Sequence, residues 1–397
     1  MDRPTKFLFL VVLITLSACT VSSEQAIQLP ENGLSNAPNN GCIAPIATFS
    51  YPANQRQTAI VSNPVFPSIP WEVETPLPNP PSGSQTFDWI SVVRSKEEYD
   101  EVWIKRTVDS ATAGSSKIPT VQFLSYRTDT KKWKIWPDTS PEGSMRSGDL
   151  FLAGNGTLWA ELSFSKNGYF AVYDEKTGQF KNIASNENIP TGVRLLDDTG
   201  IFWIVSTNRG IYRFDAVHQE IKESISIPDL VLPSSLYSKN SALASDGSIY
   251  FLNLTGDSTT QLMRFIPSTG QIEHIPYLDF LGDAAFNLFI DHSNRVWLGD
   301  LGWMTPDRIW YKLVRSPLFI TDKAESALQY TWTRPSLILE SSDGLLWFQS
   351  ENGLTSLDLQ NKKWCWFTTE QSNIVEDQQH NLWLIADSKL YRLRLGQ

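Results

Sequence analysis

The stretch Leu337-Ile338-Leu339-Glu340-Ser341-Ser342-Asp343-Gly344-Leu345-Leu346-Trp347-Phe348 decides the fold. It reads as a strand, a tight Ser-Asp-Gly turn, and a second strand ending on aromatics. A second turn at Asn352-Gly353 opens a third strand. The same order recurs along most of the chain. Short apolar segments stand at 193–196, 242–244, 288–290 and 373–375. Turns rich in Asp, Ser, Asn and Gly follow them, as in Asp198-Thr199-Gly200, Ser245-Asp246-Gly247 and His292-Ser293-Asn294. Such residues tolerate positive φ or cap their own backbone, so they close hairpins. The second strand carries an aromatic at one fixed place: Trp159, Trp203, Tyr250, Trp297, Trp347 and Trp383. Third segments follow at 211–215 and 354–358, and fourth segments at 179–183, 271–275 and 363–367.

The aromatic marks are about 36 to 50 residues apart. A period in that range with four strands per unit signals an all-β propeller. Segments such as 345–348 are apolar on both faces, as in a sheet packed between two neighbours. A β-sandwich would alternate more cleanly and would not repeat a four-strand unit six or seven times.

Blade 1 opens at 86–93 and continues through 101–106, 121–127 and 132–136. Blades 2 to 6 cover 147–184, 190–227, 239–276, 284–315 and 335–369. The last unit has three segments only, 372–375, 381–385 and 390–395. It would leave an unpaired sheet edge. A strand borrowed from the N-terminal side, residues 69–74, is expected to fill it. Trp71 there matches the fourth-strand aromatics Trp133, Trp310 and Trp364. Seven blades are expected; six or eight stay open, because blade 5 is irregular around 303–307.

The chain has 397 residues, 41% of them hydrophobic, which suffices for a large core. Fifteen tryptophans can each bury much area at low entropic cost. The formal net charge of −10 argues against a nucleic-acid partner and against polybasic docking to a membrane.

Residues 1–19 lie outside the repeats. Arg3 and Lys6 precede an apolar run at 7–16, too short to span a membrane and suited to a signal peptide. The run ends in Leu16-Ser17-Ala18-Cys19, which resembles the lipobox of bacterial lipoproteins. That resemblance implies cleavage before Cys19 and lipid attachment to it, hence an anchor on the extracytoplasmic side of the cell membrane or outer membrane. Residues 20–68 are Pro-, Asn- and Ser-rich, and eleven of the 23 prolines fall between Pro30 and Pro81. Such a stretch reads as an extended tether. Residues 69–397 form the propeller.

The copies Glu340-Ser341-Ser342-Asp343-Gly344-Leu345-Leu346-Trp347 and Glu376-Asp377-Gln378-Gln379-His380-Asn381-Leu382-Trp383 resemble the two-component-regulator propeller repeat. Its core is an acidic residue, a D-x-x-G-like turn, an aliphatic and a tryptophan. The likeness covers blades 2 to 7. The family's Gly-Thr after the tryptophan strand is kept loosely, as Gly299-Asp300 and Ser206-Thr207. Propellers of this family usually serve as extracytoplasmic ligand-sensing domains of membrane kinases. No kinase follows the repeats here, so only recognition is expected to carry over. The shape is also similar to streptogramin lyase propellers, at the level of fold.

His292 and His380 fall in first-to-second-strand turns, His218 in a third-to-fourth-strand turn and His274 in an outer strand. The long connections lie at the opposite end of the blades, the longest at 315–334. A histidine-based lyase would need its histidines at that end. No metalloprotease, hydrolase, phosphate-loop or CxxC motif is present. No metal and no cofactor is expected. The long-loop end does join aromatics and charge at Asp300, Trp303, Asp322, Tyr330, Trp332 and Arg334. Exposed aromatics beside hydrogen-bonding groups can stack on sugars or anchor a protein. Trp303 and Trp332 could equally plug the channel mouth or pack between blades. A monomeric, non-catalytic recognition or scaffold module for a glycan or protein ligand is expected. A lyase or hydrolase on the long-loop face, or a structural part of an envelope complex, are the alternatives.

With Cys19 lipidated, Cys42 and Cys365 are the two remaining thiols. Cys365 lies in an outer strand, and the arm before the closing strand must pass along that rim. A disulfide between them is expected where the compartment is oxidising.

Overall fold

In the computed structural model, the first hairpin of six successive blades turns on the same five-residue unit. The units are 153–157, 197–201, 244–248, 291–295, 341–345 and 377–381. In each, the first N–H donates to the fifth carbonyl, and the fourth N–H donates back to the first carbonyl. Asp291 and Arg295 meet in this way at 3.1 Å, and Asn294 and Asp291 at 2.8 Å. The fourth residue is left-handed throughout: Gly156, Gly200, Gly247, Asn294, Gly344 and His380. A type I turn closed by a left-handed residue matches the twist of the strands it joins.

The turn also anchors the tryptophan of the strand that follows. Asp291 Oδ1 accepts from Ser293 N at 3.0 Å and Arg295 N at 2.9 Å, and its Oδ2 accepts the Trp297 indole N–H at 2.7 Å. Asp377 repeats this with Gln379, Asn381 and Trp383. Ser341 Oγ accepts from Trp347 Nε1 at 2.9 Å. The spacing of turn and tryptophan seen in the sequence is therefore a bond that satisfies a buried indole.

The hairpins build seven antiparallel sheets, the blades of a seven-bladed β-propeller. The structure describes residues 40–43, 48–51 and 72–394, except 83, 110–118, 137–138, 141–142, 165–167, 186–191, 198, 207–209, 217, 219, 233–239, 255–259, 276–286, 300–301, 314–335, 351–352, 362, 368–372 and 387. From channel to rim, blade 1 is Gln85–Ser95, Asp100–Asp109, Thr120–Arg127 and Lys132–Trp136. Blade 2 is the two-residue strand Thr139–Ser140, then Gly143–Leu152, Leu158–Phe164, Gly168–Asp174 and Gln179–Ser185. Blade 3 runs from Gly192–Leu196 to Glu220–Ser226 and blade 4 from Ser241–Leu243 to Gln271–Ile275. Blade 5 runs from Leu288–Ile290 to Trp310–Leu313 and blade 6 from Ser336–Glu340 to Lys363–Phe367. Blade 5 has short strands but all four of them, which settles the count at seven.

Apolar cores fill the gaps between blades. Trp103 and Phe123 of blade 1 meet Leu150 and Leu162 of blade 2. Phe170 meets Phe202 and Phe214 across the next gap, and Trp203 and Ile211 meet Phe251 and Phe265 across the one after. Leu252 and Leu262 pack on Leu298 and Met304; Trp297 lies edge-on to Phe348; Trp347 packs on Leu382 and Leu384. Trp383, Ile385 and Leu390 return to Ile90, Ile104 and Tyr126 of blade 1. Two acids add polar staples. Glu340 of blade 6 accepts the His292 N–H of blade 5, and Glu376 of blade 7 accepts the Ser342 N–H of blade 6 at 2.9 Å and 3.0 Å. These are the acidic residues that open the two repeat copies quoted above.

Blade 7 consists of Ile374–Glu376, Asn381–Ala386, Lys389–Arg394 and, at the rim, Glu72–Pro76. The borrowed strand is thus present, beginning at Glu72; residues 69–71, with Trp71, lie outside the described residues. Val73 faces Tyr391 in the pairing. Blade 1 holds the junction from its side. Tyr126 OH donates to Glu74 Oε1 at 3.1 Å, Trp133 Nε1 to the Pro76 carbonyl at 3.2 Å, and Arg392 Nη2 lies 3.0 Å from Asp100 Oδ2. At the channel, the Asn373 amide bonds both backbone groups of Ile90, at 2.8 Å and 2.6 Å. Ile90 lies on the edge strand of blade 1, beside the register shift between Ile90 and Val92.

The stretch read as a tether is not wholly unpaired. Asn40–Ile43 adds a fifth strand to the rim of blade 6, and Thr48–Tyr51 adds one to blade 5. The Pro, Asn and Ser content that suggested a tether does not stop a backbone from pairing. Exposed rim strands offer free N–H and C=O groups to any extended segment that reaches them. All these residues belong to one unit, Ala37–Gln397.

Deleting residues 72–76 from the full chain exposes the Lys389–Arg394 edge and frees the partners of Glu74 and Pro76. We expect aggregation, or a Tm lowered by about 10 °C or more, given several kcal/mol lost in a chain of this size. An unchanged melting curve in calorimetry would refute closure by this strand.

Candidate binding site

Inner and second strands face other blades, so their side chains are mostly apolar. Charged residues interrupt these strands in blades 1 to 3, and four of them, Lys105, Asp149, Glu161 and Arg194, connect one blade to the next. Lys105 is two residues from Trp103 and shares its face, the one packed on blade 2. Its Nζ donates to Asp149 Oδ1 at 2.7 Å. Asp149 is the cross-strand partner of Glu161 within blade 2. From blade 3, Arg194 Nη2 lies 2.9 Å from Glu161 Oε1. A line of four charges, two acids in the middle and a cation at each end, thus runs from blade 1 to blade 3 beside the channel. It is wet at one end and dry at the other: the Asp149 side chain is 62% exposed and that of Arg194 only 7%. Burial pushes the Glu161 carboxyl up from its ordinary range, against the pull of Arg194, and Asp149 adds to the rise. Burial likewise lowers the Arg194 guanidinium, with Glu161 opposing.

Two aromatics stand beside the wet end. Trp89 is the cross-strand partner of Lys105, and Phe87 that of Thr107. Directly facing residues lie on one side of a sheet. Phe87, Trp89 and Lys105 therefore share one face of blade 1, on its channel side. Phe87 is 47% exposed and Trp89 half-buried. An exposed phenyl on the innermost strand of a blade contributes little to the core. With Lys105 as donor and Asp149 as acceptor, this face can stack on a ring and bond the polar groups at its edge.

Of the residues expected on the long-loop face, Asp300, Asp322, Tyr330, Trp332 and Arg334 lie outside the described residues. Trp303 is described, and it is 7% exposed. Its ring stacks on Trp297 at 4.7 Å and on Tyr311 at 5.0 Å, forming a ladder across three strands of blade 5. Both of its faces are used inside the blade. Cys19 also lies outside the described residues. His292 and His380 sit in five-residue turns and His218 in a third-to-fourth-strand turn, while His274 lies in the rim strand of blade 4. Asp215 lies 2.7 Å from His218, Glu340 3.3 Å from His292 and Glu376 3.2 Å from His380, on separate blades. Among the described residues no three His, Cys, Asp or Glu side chains are placed to hold a metal ion.

The sequence reading missed Phe87, Trp89, Lys105, Asp149, Glu161 and Arg194. A charge inside a strand that must be buried on both faces was the available signal.

No protein-family model matches the chain, and no curated protein sequence does. Solved structures with the same fold include the extracellular domain of the putative hybrid two component system BT4673 from B. thetaiotaomicron. That match has 17% identity and a TM-score of 0.50, and covers 82% of this chain and 40% of the other. The corresponding domain of BT3049 from the same organism matches at 13% identity and a TM-score of 0.47, over 77% of this chain and 40% of the other. The chain therefore spans about 40% of the length of these neighbours. At 17% identity the BT4673 match is a likeness of fold alone, and that fold agrees with the propeller expected from the repeat.

Glu161 supplies a pH test. Its carboxyl titrates higher in the folded chain than the ordinary value of 4.5. Ionising it therefore costs folded-state stability as pH rises from about 4.5 through the folded value. Glu161→Gln lacks this dependence. In urea unfolding, the stability difference between variant and wild type should move in favour of Gln as pH rises across that window. A difference that moves the other way would contradict the burial argument.

Proposed function

We propose that the chain is a lipid-anchored, extracytoplasmic recognition module that binds a sugar-bearing ligand at the channel side of blades 1 and 2 without transforming it. The observation that carries the reading is the exposed Phe87 beside Trp89, next to the Lys105–Asp149 pair at 2.7 Å. An aromatic face with a donor and an acceptor at its edge suits a pyranose ring, which is apolar on its C–H face and polar at its rim. The rigid ring of blades fixes these groups on strands, where position is held better than on loops. The anchor rests on the signal-peptide pattern and on Leu16-Ser17-Ala18-Cys19.

Full-length protein applied to an array of bacterial and host polysaccharides should retain one glycan class. Phe87→Ala should weaken that binding at least tenfold, about 1.4 kcal/mol, with little change in Tm because the ring is half exposed. Binding indifferent to both Phe87→Ala and Trp89→Ala would move the site elsewhere. Capture of a protein in place of any glycan would replace the ligand class.

The anchor has its own check. Cys19→Ala should block processing of the N-terminal segment and shift the protein from the detergent phase to the aqueous phase. Unchanged partitioning would remove the lipid.

A further inference from the structure

We propose that Cys42 and Cys365 form a disulfide that fastens the N-terminal arm to the rim of blade 6. The backbone supplies the reason. Asn40–Ile43 pairs antiparallel with Lys363–Phe367, and in that register Cys42 stands directly opposite Cys365, between the pairs Gly41–Trp366 and Ile43–Trp364. Facing residues of an antiparallel pair have Cα atoms about 4.5 or 5.5 Å apart, depending on their place in the hydrogen-bond pattern. Disulfides span Cα distances of about 4.4–6.8 Å. Both cases fit. A slip of one residue in the pairing would set Cys42 against a tryptophan instead, since Trp364 and Trp366 flank Cys365.

The chemistry balances as a dithiol–disulfide exchange. The Cys42 and Cys365 thiols each lose a proton and together give up two electrons as the S–S bond forms. A disulfide-bearing oxidoreductase of the extracytoplasmic space accepts both and is reduced to its dithiol. The supply of that oxidant rests on the extracytoplasmic reading above; the pairing of the two cysteines does not.

The bond would change what the arm is. Asn40–Ile43 is a rim strand with one neighbour, held by a single ladder of backbone hydrogen bonds. A pull on the chain ahead of Asn40 meets that ladder first and can open it bond by bond. A covalent link at its centre passes the load to blade 6 instead. The arm then leaves the propeller at a fixed point on its rim, and the closing strand at Glu72–Pro76 is relieved of the strain.

The test uses the intact chain in two arms. Reduced, folded protein is treated with oxidised glutathione, alkylated in denaturant, digested and mapped by mass spectrometry. A bridged pair of peptides containing Cys42 and Cys365 is expected, and Cys42→Ser and Cys365→Ser should each abolish it and leave the other cysteine alkylated. Cys42 and Cys365 both alkylated in the wild type, or either joined to Cys19, would overturn the proposal. The second arm maps protein taken from the producing cells without reduction. Bridged peptides there support the bond and its compartment together. Bridging by glutathione but alkylated cysteines from cells would leave the pairing standing and sink the extracytoplasmic reading. As an independent readout, reduction should speed proteolysis ahead of Glu72 at least tenfold while the remaining propeller resists as before. Equal rates would show that no bond held the arm.

Discussion

Every blade of this protein has two apolar faces, and no blade can bury both alone. That constraint governs the rest. Each sheet needs a neighbour on either side, so a row of such sheets either keeps two bare faces or closes on itself. Aromatic burial makes the difference large, since each ring removes much apolar area from water. The ring closes where Trp383, Ile385 and Leu390 meet Ile90, Ile104 and Tyr126. This junction is built differently from the others. Where blades 5, 6 and 7 are stapled by Glu340 and Glu376, the closing gap relies on Asn373 against the Ile90 backbone, on Arg392 with Asp100 and on a strand from the far end of the sequence. A repeat can specify contacts between like neighbours. The one place where first meets last requires residues that belong to neither pattern.

The same distinction separates what the sequence discloses from what it conceals. The five-residue turns were legible because left-handed backbone calls for Gly or Asn, and because an Asp in first position satisfies three donors at once. The closing strand was legible because three strands in a final unit leave an edge that chemistry does not tolerate. The acid before the turn could be seen as part of a pattern, but its partner could not, since that partner is a backbone N–H of another blade. The charged line beside the channel was hidden for a like reason. Lys105 and Asp149 are far apart in the chain, and only the ring geometry sets one against the other. Phe87 and Trp89 sit in a segment that reads as core; their exposure follows from lying on the innermost strand. Trp303 misleads in the opposite sense. It stands near a long connection, yet a three-residue strand with partners on both sides draws it into the Trp297–Tyr311 ladder.

Blade 1 is where the repeat is least regular, and it carries most of the exposed chemistry. It lacks the five-residue turn; Lys96 N donates to Tyr99 O in a tighter one. Its first strand has eleven residues and its second ten, a length matched among the described strands by Gly143–Leu152 of blade 2 alone. Regular blades meet the packing constraint, which leaves the irregular one free to present groups the fold itself does not need.

The closing strand also has a consequence in time. Synthesis proceeds from the N-terminus, so Glu72–Pro76 emerges before any blade exists, yet its partner Lys389–Arg394 is made after every other strand of the ring. A strand made before every blade therefore finds its place only after the others. Until then its backbone groups must stay solvated and uncommitted, and the growing stack of blades presents a bare face at its leading end. Contacts that join the two extremes of a chain carry a large loop-closure cost and form late. Cooperative folding of this ring thus waits on synthesis of Lys389–Arg394, and a chain that stops short of it is a different physical object from the closed one.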